Sequence, residues 1–258
     1  MPLSRSGETA ANQASIIQGT ADVPLSDVGR SQASKLGDYF NHHTITFDKV
    51  YSSDLSRALE TAKLIIGERQ PIQTDKRLRE RAFGVIEGQH LSTYRGEARK
   101  AGYKEKDLSY YTPEGAETLP QVYKRIKDFF CTELLKNDSV DQKKILLVTH
   151  GGVIREFFRF FRDECRCDFR GLEIMKVTPN TGVNEFRVSI LENNRILAEN
   201  VKIHDRTHWD GGNSESNGKT PENGQLIESS ENNPKSSDND LSRTESRNNQ
   251  HQVPLEAL

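Results

Sequence analysis

Two stretches carry residue types suited to phosphoryl chemistry. One is Ser4-Arg5-Ser6-Gly7-Glu8-Thr9 near the start of the chain, and the other is Val148-Thr149-His150-Gly151-Gly152 far downstream. A phosphoryl group brings negative charge and three oxygens that need donors. Arginine supplies a planar fork of donors and a permanent charge, so a pair such as Arg5 and Arg57 can clamp it. Helix N-termini add backbone N–H groups and the positive end of the helix dipole. His150 can donate to a phosphate oxygen or act as acid, base or nucleophile, and Gly151-Gly152 lets the backbone approach a ligand closely. Glu80, within Arg77-Leu78-Arg79-Glu80-Arg81, can serve as a general acid if partial burial raises its pKa. Each residue also has a plainer reading: surface ion pairs for the arginines and Glu80, a core or capping role for His150.

The elements that must position these residues follow from pattern. Only Met1 to Ser4 precede Arg5, and Pro2 is a poor strand residue, so a first strand would be a stub. Ser26 is a plausible N-cap for a helix whose Val28, Leu36, Tyr39 and Phe40 recur at helical spacing and should face the core. Lys49-Val50-Tyr51-Ser52 reads as a strand running into Ser53-Asp54-Leu55-Ser56-Arg57, where a cap opens a helix to about Ile66. Ile72 to Thr74 reads as another short strand. Residues 83–117, with glycines, tyrosines and weak periodicity, read as an irregular excursion such as a lid. Thr118 caps a helix with the apolar stripe Leu119, Val122, Ile126, Phe129 and Phe130. Ile145-Leu146-Leu147-Val148 has the continuous apolar character of a strand buried on both faces. A helix with Val153, Ile154, Phe157, Phe158 and Phe161 follows His150. Phe186, Val188 and Ile190 alternate with polar residues, and with Ile196 to Ile203 they predict a hairpin turning at Glu192-Asn193-Asn194. Strands alternating with helices point to an α/β sandwich with a mostly parallel sheet, in which sites form beyond the carboxyl ends of the strands. Arg5, Arg57, Glu80 and His150 all fall just past a predicted strand end.

Composition bounds the rest. Of 258 residues only 33 % are hydrophobic, and the shortfall is concentrated from Thr207 onward, where Ser, Asn, Glu, Asp, Gly, Lys and Pro dominate. Residues 1–206 are therefore read as one domain and 207–258 as a disordered tail. A net charge of -2 gives no broad electrostatic case for nucleic acid or an anionic membrane. Cys165-Arg166-Cys167 has no second pair to complete a zinc site, so Cys131, Cys165 and Cys167 are expected to be reduced thiols, with no metal. The N-terminus shows no signal-peptide core and no run approaches membrane-spanning length, which predicts a soluble, cytoplasmic protein.

These residues also resemble a family. Gly7-Glu8-Thr9 with Asn12, Ile16-Ile17-Gln18-Gly19 leading to Pro24-Leu25-Ser26, and Ser52-Ser53-Asp54-Leu55-Ser56-Arg57 are the first matching stretches. Arg77 to Arg81 with Gly84-Val85 and Glu87-Gly88, then Thr112-Pro113, Gly115 and Glu117-Thr118-Leu119, continue the match. Val148-Thr149-His150-Gly151 and Val177-Thr178-Pro179-Asn180-Thr181-Gly182 complete it. Together they resemble the histidine phosphatase superfamily, which includes the cofactor-dependent phosphoglycerate mutases, and within it the TIGAR-type fructose-2,6-bisphosphatases. The resemblance implies a three-layer, phosphoglycerate mutase-like sandwich and a phosphoryl transfer through a phosphohistidine, with no metal or other cofactor and a small phosphorylated sugar as partner. It implies that Arg5 and Arg57 clamp the phosphate, His150 steadies the transferring group and Glu80 is the proton donor. Asn12, Gly19 and Gly151 would line the substrate pocket.

The sequence departs from that pattern at one place. The family's nucleophile is a His between an Arg and a Gly after the first strand, and here the position is Ser6. A serine hydroxyl is shorter, is protonated at neutral pH and needs an adjacent base to attack. The first strand is also cut to Met-Pro-Leu-Ser, so the expectation is one cause for both departures: a misjoined or alternatively spliced 5′ end, or a true pseudoenzyme. The chain as written is expected to show weak or no phosphatase activity. Alternatives are a sugar-phosphate-binding protein without catalysis, a phosphoglycerate mutase or broad sugar phosphatase, and an interaction protein working through the tail. A serine hydrolase is disfavoured because Ser6 lacks the G-x-S-x-G elbow.

Overall fold

The structure is a computed structural model that describes residues 1–135, 143–191 and 195–210. Strand β1 (Pro2–Arg5) leads into a single-turn helix α1 (Ala10–Gln13) and then helix α2 (Asp27–His42). Strand β2 (Lys49–Ser52) is followed by helix α3 (Ser56–Ile66) and the two-residue strand β3 (Gln73–Thr74). Three 3-10 turns (Lys76–Leu78, Gly84–Ile86 and Glu105–Tyr110) and helix α4 (Leu91–Lys100) precede helix α5 (Leu119–Phe129). Strand β4 (Ile145–Thr149), helix α6 (Gly151–Asp163), strands β5 (Val183–Ile190) and β6 (Ile196–Asp205), and a final 3-10 turn at Thr207–Asp210 complete the order.

The sheet runs β3-β2-β4-β1-β5-β6. The first four strands are mutually parallel, while β5 is antiparallel to β1 and β6 antiparallel to β5. Although β1 has four residues, it holds the centre, because β2 is equally short and β4 has only five. Pro2 stands at the strand's first position, where a missing N–H costs no ladder bond. Met1 makes those bonds instead: its amine donates to the Phe186 carbonyl at 2.5 Å and its carbonyl accepts from Phe186 N–H at 3.0 Å.

Helices cover both faces. Strand β4 shows the division, with Ile145 and Leu147 in the cluster under α5 and α6, and Leu146 and Val148 in the cluster under α2 and α3. The first cluster is rich in phenylalanine, including Phe129, Phe157, Phe158, Phe161 and Phe186, all fully buried. Each such burial is worth about 1.5–3 kcal/mol relative to exposure. The sandwich has three layers, as expected, and a mostly parallel sheet.

Local differences have physical causes. Val28 is 49 % exposed rather than in the core. The inward face of α2 is instead Gly29, Ala33, Leu36, Gly37 and Phe40, because a side chain at 29 would come within 2.0 Å of the Glu8 carbonyl. Helix α3 begins at Ser56 with Leu55 as N-cap and no side-chain cap bond; Ser53 Oγ accepts from Leu55 N–H instead. The excursion 83–117 is not irregular throughout, since it holds α4, capped by His90 Nδ1 accepting from Ser92 N–H. A cluster of Ile17, Ile86 and Tyr94, together with Arg81, secures it. Arg81 is buried and donates to the carbonyls of Glu117, Ser109 and Tyr111. Thr207–Asp210 packs onto the domain, so ordered structure continues beyond 206; the remainder of the predicted tail and the turn Glu192-Asn193-Asn194 lie outside the described residues. Among the described residues no helix is long and apolar enough to cross a membrane.

Candidate active site

The carboxyl ends of the parallel strands converge on one cleft of about 290 Å³. Arg5 ends β1, Ser6 follows it, and His150 follows β4 as the N-cap of α6. Arg57 sits in the first turn of α3 beyond β2, and Glu80 follows the 3-10 turn beyond β3. All eight residues singled out from the sequence (Arg5, Ser6, Asn12, Gly19, Arg57, Glu80, His150 and Gly151) line this cleft.

The arginines are held without neutralisation. Arg57 is buried and donates to the carbonyls of Ala21 and Gly19, both at 2.8 Å. Arg5 Nη1 donates to the Thr178 carbonyl at 2.8 Å. Among the described residues neither has a carboxylate within ion-pair distance. Main-chain carbonyls fix a guanidinium's direction but leave its charge to be met by something else. Burial lowers the pKa of both guanidiniums; the Glu80 charge opposes this, and Arg57 adds to the lowering at Arg5. Gly19 has φ +53°, and a Cβ there would strike Glu87 Oε1 at 2.0 Å, so glycine is required for the loop that presents its carbonyl to Arg57.

His150 is buried, and its Nε2 has no hydrogen-bond partner among the described residues. Burial first, then the charges of Arg57, Arg5 and Arg125, hold its pKa well below the ordinary imidazole range. A buried imidazole nitrogen without a partner is costly unless a ligand completes it. Glu80 Oε2 accepts from Gly152 N–H at 3.0 Å, at the start of α6, and its Oε1 accepts from Arg81 N–H at 2.9 Å. Gly152 makes room for this carboxylate, since a Cβ there would lie 2.4 Å from Glu80 Oε1. Asn12 is the third residue of a capping box with Thr9, accepting from Thr9 N–H and Oγ at 3.0 Å, which leaves its amide N–H groups to the cleft.

Ser6 is 4 % exposed, its N–H donates to the Thr149 carbonyl at 2.8 Å, and its own carbonyl accepts from Asn180 Nδ2 at 2.9 Å. Its hydroxyl makes no hydrogen bond to His150 Nε2, nor to any other described residue. The site therefore combines cations, directed donors and a candidate acid with a serine that no base activates.

Further lining residues went unassigned in the sequence: Ser15, Ile16, Ile17, Gln18, Phe83 and Leu91. The stretch Ile16-Ile17-Gln18 adjoins Gly19, a signal that was available. Phe83 and Leu91 come from the excursion, where no periodicity marked them.

The family model of the histidine phosphatase superfamily (branch 1) matches residues 1–196. The chain belongs to the histidine phosphatase superfamily. Its relatives include the Fructose-2,6-bisphosphatase TIGAR of Mus musculus, 31 % identical with 80 % of this chain and 94 % of the relative covered. Phosphoglycerate mutase-like protein 4 of Arabidopsis thaliana is 37 % identical, covering 71 % and 77 %. Among solved structures, the phosphoglycerate mutase of Bacillus anthracis superposes with a TM-score of 0.68 at 25 % identity, covering 83 % of this chain and 97 % of that one. This member of the superfamily thus shares the fold of that phosphoglycerate mutase, with serine at position 6 of its own cleft.

Proposed function

We propose that the cleft binds the phosphate of a small phosphorylated sugar of the fructose 2,6-bisphosphate class, and that Ser6 in the nucleophile position holds turnover of this chain to a low level. Buried Arg57 and half-buried Arg5, each anchored only by carbonyls and flanking the unpartnered Nε2 of buried His150, carry this reading. Such a cluster is electrostatically incomplete, and a phosphate dianion supplies both the missing charge and the missing acceptors. Asn12 and the Gly151 region complete the cradle. In an active form, Glu80 would protonate the leaving oxygen and later activate water, and His150 would steady the group in transfer. Similarity to fructose-2,6-bisphosphatases supports the substrate class, and the absence of a base beside Ser6 supports slow turnover.

The test compares the protein with Ser6→His and Ser6→Ala. Orthophosphate and fructose 2,6-bisphosphate should bind all three, as measured by calorimetry. Fructose 2,6-bisphosphate turnover should be minimal in the protein itself and in Ser6→Ala. In Ser6→His it should rise by about 10³-fold or more, part of the roughly 10⁶ that a nucleophile carries in turnover. If the protein already turns over briskly at a rate that Ser6→Ala leaves unchanged, the nucleophile argument is wrong.

A further inference from the structure

The segment Thr178-Pro179-Asn180-Thr181-Gly182 wraps the main chain of the phosphate site. Thr178 offers its carbonyl to Arg5 Nη1, and Thr181 N–H donates to the Arg5 carbonyl at 3.0 Å. Asn180 Nδ2 donates to the Ser6 carbonyl, and the Gly182 carbonyl accepts from Arg5 N–H at 3.2 Å. The position of the Arg5 fork is therefore set by how this segment sits.

The segment is in turn gripped from the end of the domain. Thr181 is fully buried with φ +53°, a conformation that a β-branched residue adopts only when its surroundings impose it. Its Oγ1 donates to the Asn180 carbonyl at 2.8 Å and accepts from Trp209 Nε1 at 3.0 Å. His208 Nε2 lies 3.0 Å from the same oxygen. A hydroxyl has one hydrogen and two lone pairs, so His208 Nε2 must be the donor and Thr181 Oγ1 is saturated. Thr178 Oγ1 is held in the same way. It accepts from Asn184 Nδ2 at 3.2 Å and lies 2.9 Å from Nδ1 of His204, whose Nε2 contacts the Glu173 carbonyl at 3.2 Å. A carbonyl only accepts, so His204 Nε2 carries the hydrogen and, in the neutral ring, Nδ1 accepts from Thr178. His204 also has positive φ, +56°.

We infer that the C-terminal run from His204 to Trp209 is a clasp whose side chains position Arg5 and Ser6 through Thr178 and Thr181, coupling phosphate binding to the environment of Trp209. These are positioning residues, because none of them lines the cleft. The inference rests on the reading of the cleft as a phosphate site. It also gives Thr207–Asp210 a role distinct from that of a tail.

Trp209 is the chain's single tryptophan, so fluorescence excited at the red edge of the absorption band, where the tyrosines do not absorb, reports on the clasp alone. Orthophosphate titrated into the full-length protein should change that emission saturably, with the Kd found by calorimetry, and Arg57→Ala should abolish the response. Thr181→Val and Trp209→Phe, which each remove hydrogen bonds at the clasp, should weaken orthophosphate binding about fivefold or more. His208→Gln, which keeps a donor near the Nε2 position, should bind within about twofold of the parent while His208→Phe does not. Thermal midpoints are measured alongside. Variants that lower the midpoint but leave the Kd unchanged would show a merely structural segment and overturn the inference. Parent protein that fails to bind phosphate at all would overturn both this inference and the reading of the cleft. Parent that binds, with Arg57→Ala failing to bind and every clasp variant binding normally, would overturn the clasp only. Should Thr181→Val not fold, the two His208 variants and Trp209→Phe decide the matter.

Discussion

Arg77 and Arg57 are arginines at the edge of the same sheet, and their surroundings are opposite. Arg77 meets three carboxylates, Asp75 and Asp128 at 2.6 Å and Glu133 at 2.9 Å, and stacks over the Phe129 ring at 5.4 Å. Its hydrogen bonds to these acids, Asp75 foremost, raise its pKa. Arg57 is more deeply buried and meets only two carbonyls, and burial lowers its pKa. Paired charges repay their desolvation within the protein; unpaired ones leave that balance open until a ligand arrives. The contrast separates a cluster that holds the fold from one arranged to bind.

Exchanging the two losses gives the largest expected effect. Arg57→Ala removes charge-assisted donors from the ligand, and each such bond contributes about 1.5–3 kcal/mol. Orthophosphate affinity by calorimetry should fall by about 10² to 10³-fold, while stability in urea changes little or rises, because an uncompensated buried charge is gone. Arg77→Ala should do the reverse. Affinity stays within about twofold and stability falls by about 1–3 kcal/mol, since Asp75 loses its principal partner. Equal loss of binding in both variants would erase the distinction.

A pH scan sharpens the comparison next. The folded-state pKa of His150 lies well below the ordinary value of 6.5, through burial and then Arg57, Arg5 and Arg125. The unfolded chain therefore takes up a proton at this residue as pH falls below about 6.5, and the folded protein does not. The stability contributed by neutral His150 is complete above that pH and is lost progressively below it. One proton corresponds to a slope of about 1.4 kcal/mol per pH unit. His150→Gln should remove up to that slope between about pH 5 and 6.5, measured by urea denaturation across the window; an unchanged slope would place the titration elsewhere. His204, whose pKa burial also lowers, contributes in the same sense and remains in the variant.

The two regions were also unequally legible in the sequence. Arg5, Arg57 and His150 could be placed because each follows a short apolar strand, and a parallel sheet gathers strand ends at one edge. The helices α5 and α6 were legible from their apolar stripes. Helix α4 was not, because it buries only Tyr94 and Ala98, carries Gly96 and is capped by a histidine rather than by Ser, Thr, Asp or Asn. Val28 was misplaced because helical spacing marks a stripe but not its centre, and the close approach at Gly29 turns α2 by one position. Thr207–Asp210 was read as tail because composition averages over a window, and two residues, His208 and Trp209, supply the contacts. Of the acids around Arg77, Asp75 stands two residues before it, but Asp128 and Glu133 lie some fifty residues on, at and just beyond the end of α5, so no local pattern announced those two. Thr178 and Thr181 stood in a quoted motif, yet their role depends on bonds to residues 26 to 28 positions away.

The smallest expected effect on phosphate binding is the most discriminating in sign. Glu80 is the carboxylate whose charge acts on both Arg5 and Arg57. Glu80→Gln removes that charge and keeps one amide oxygen to accept from Gly152 or Arg81, at a cost of about 1 kcal/mol in stability for the bond it loses. With the negative charge gone, the arginines attract an anion more strongly, and orthophosphate should bind about three- to tenfold tighter at low salt, the gain shrinking as salt is added. In the Ser6→His background the same change should lower turnover by about 10² to 10⁴-fold, the usual contribution of a general acid. Around Arg77 the equivalent change, Asp75→Asn, strips a partner from a saturated cluster and can only weaken the fold. Tighter phosphate binding with slower chemistry would therefore mark Glu80 as an acid held in reserve beside two unneutralised cations. Weaker binding would mean that its carboxylate organises the arginines as Asp75 organises Arg77.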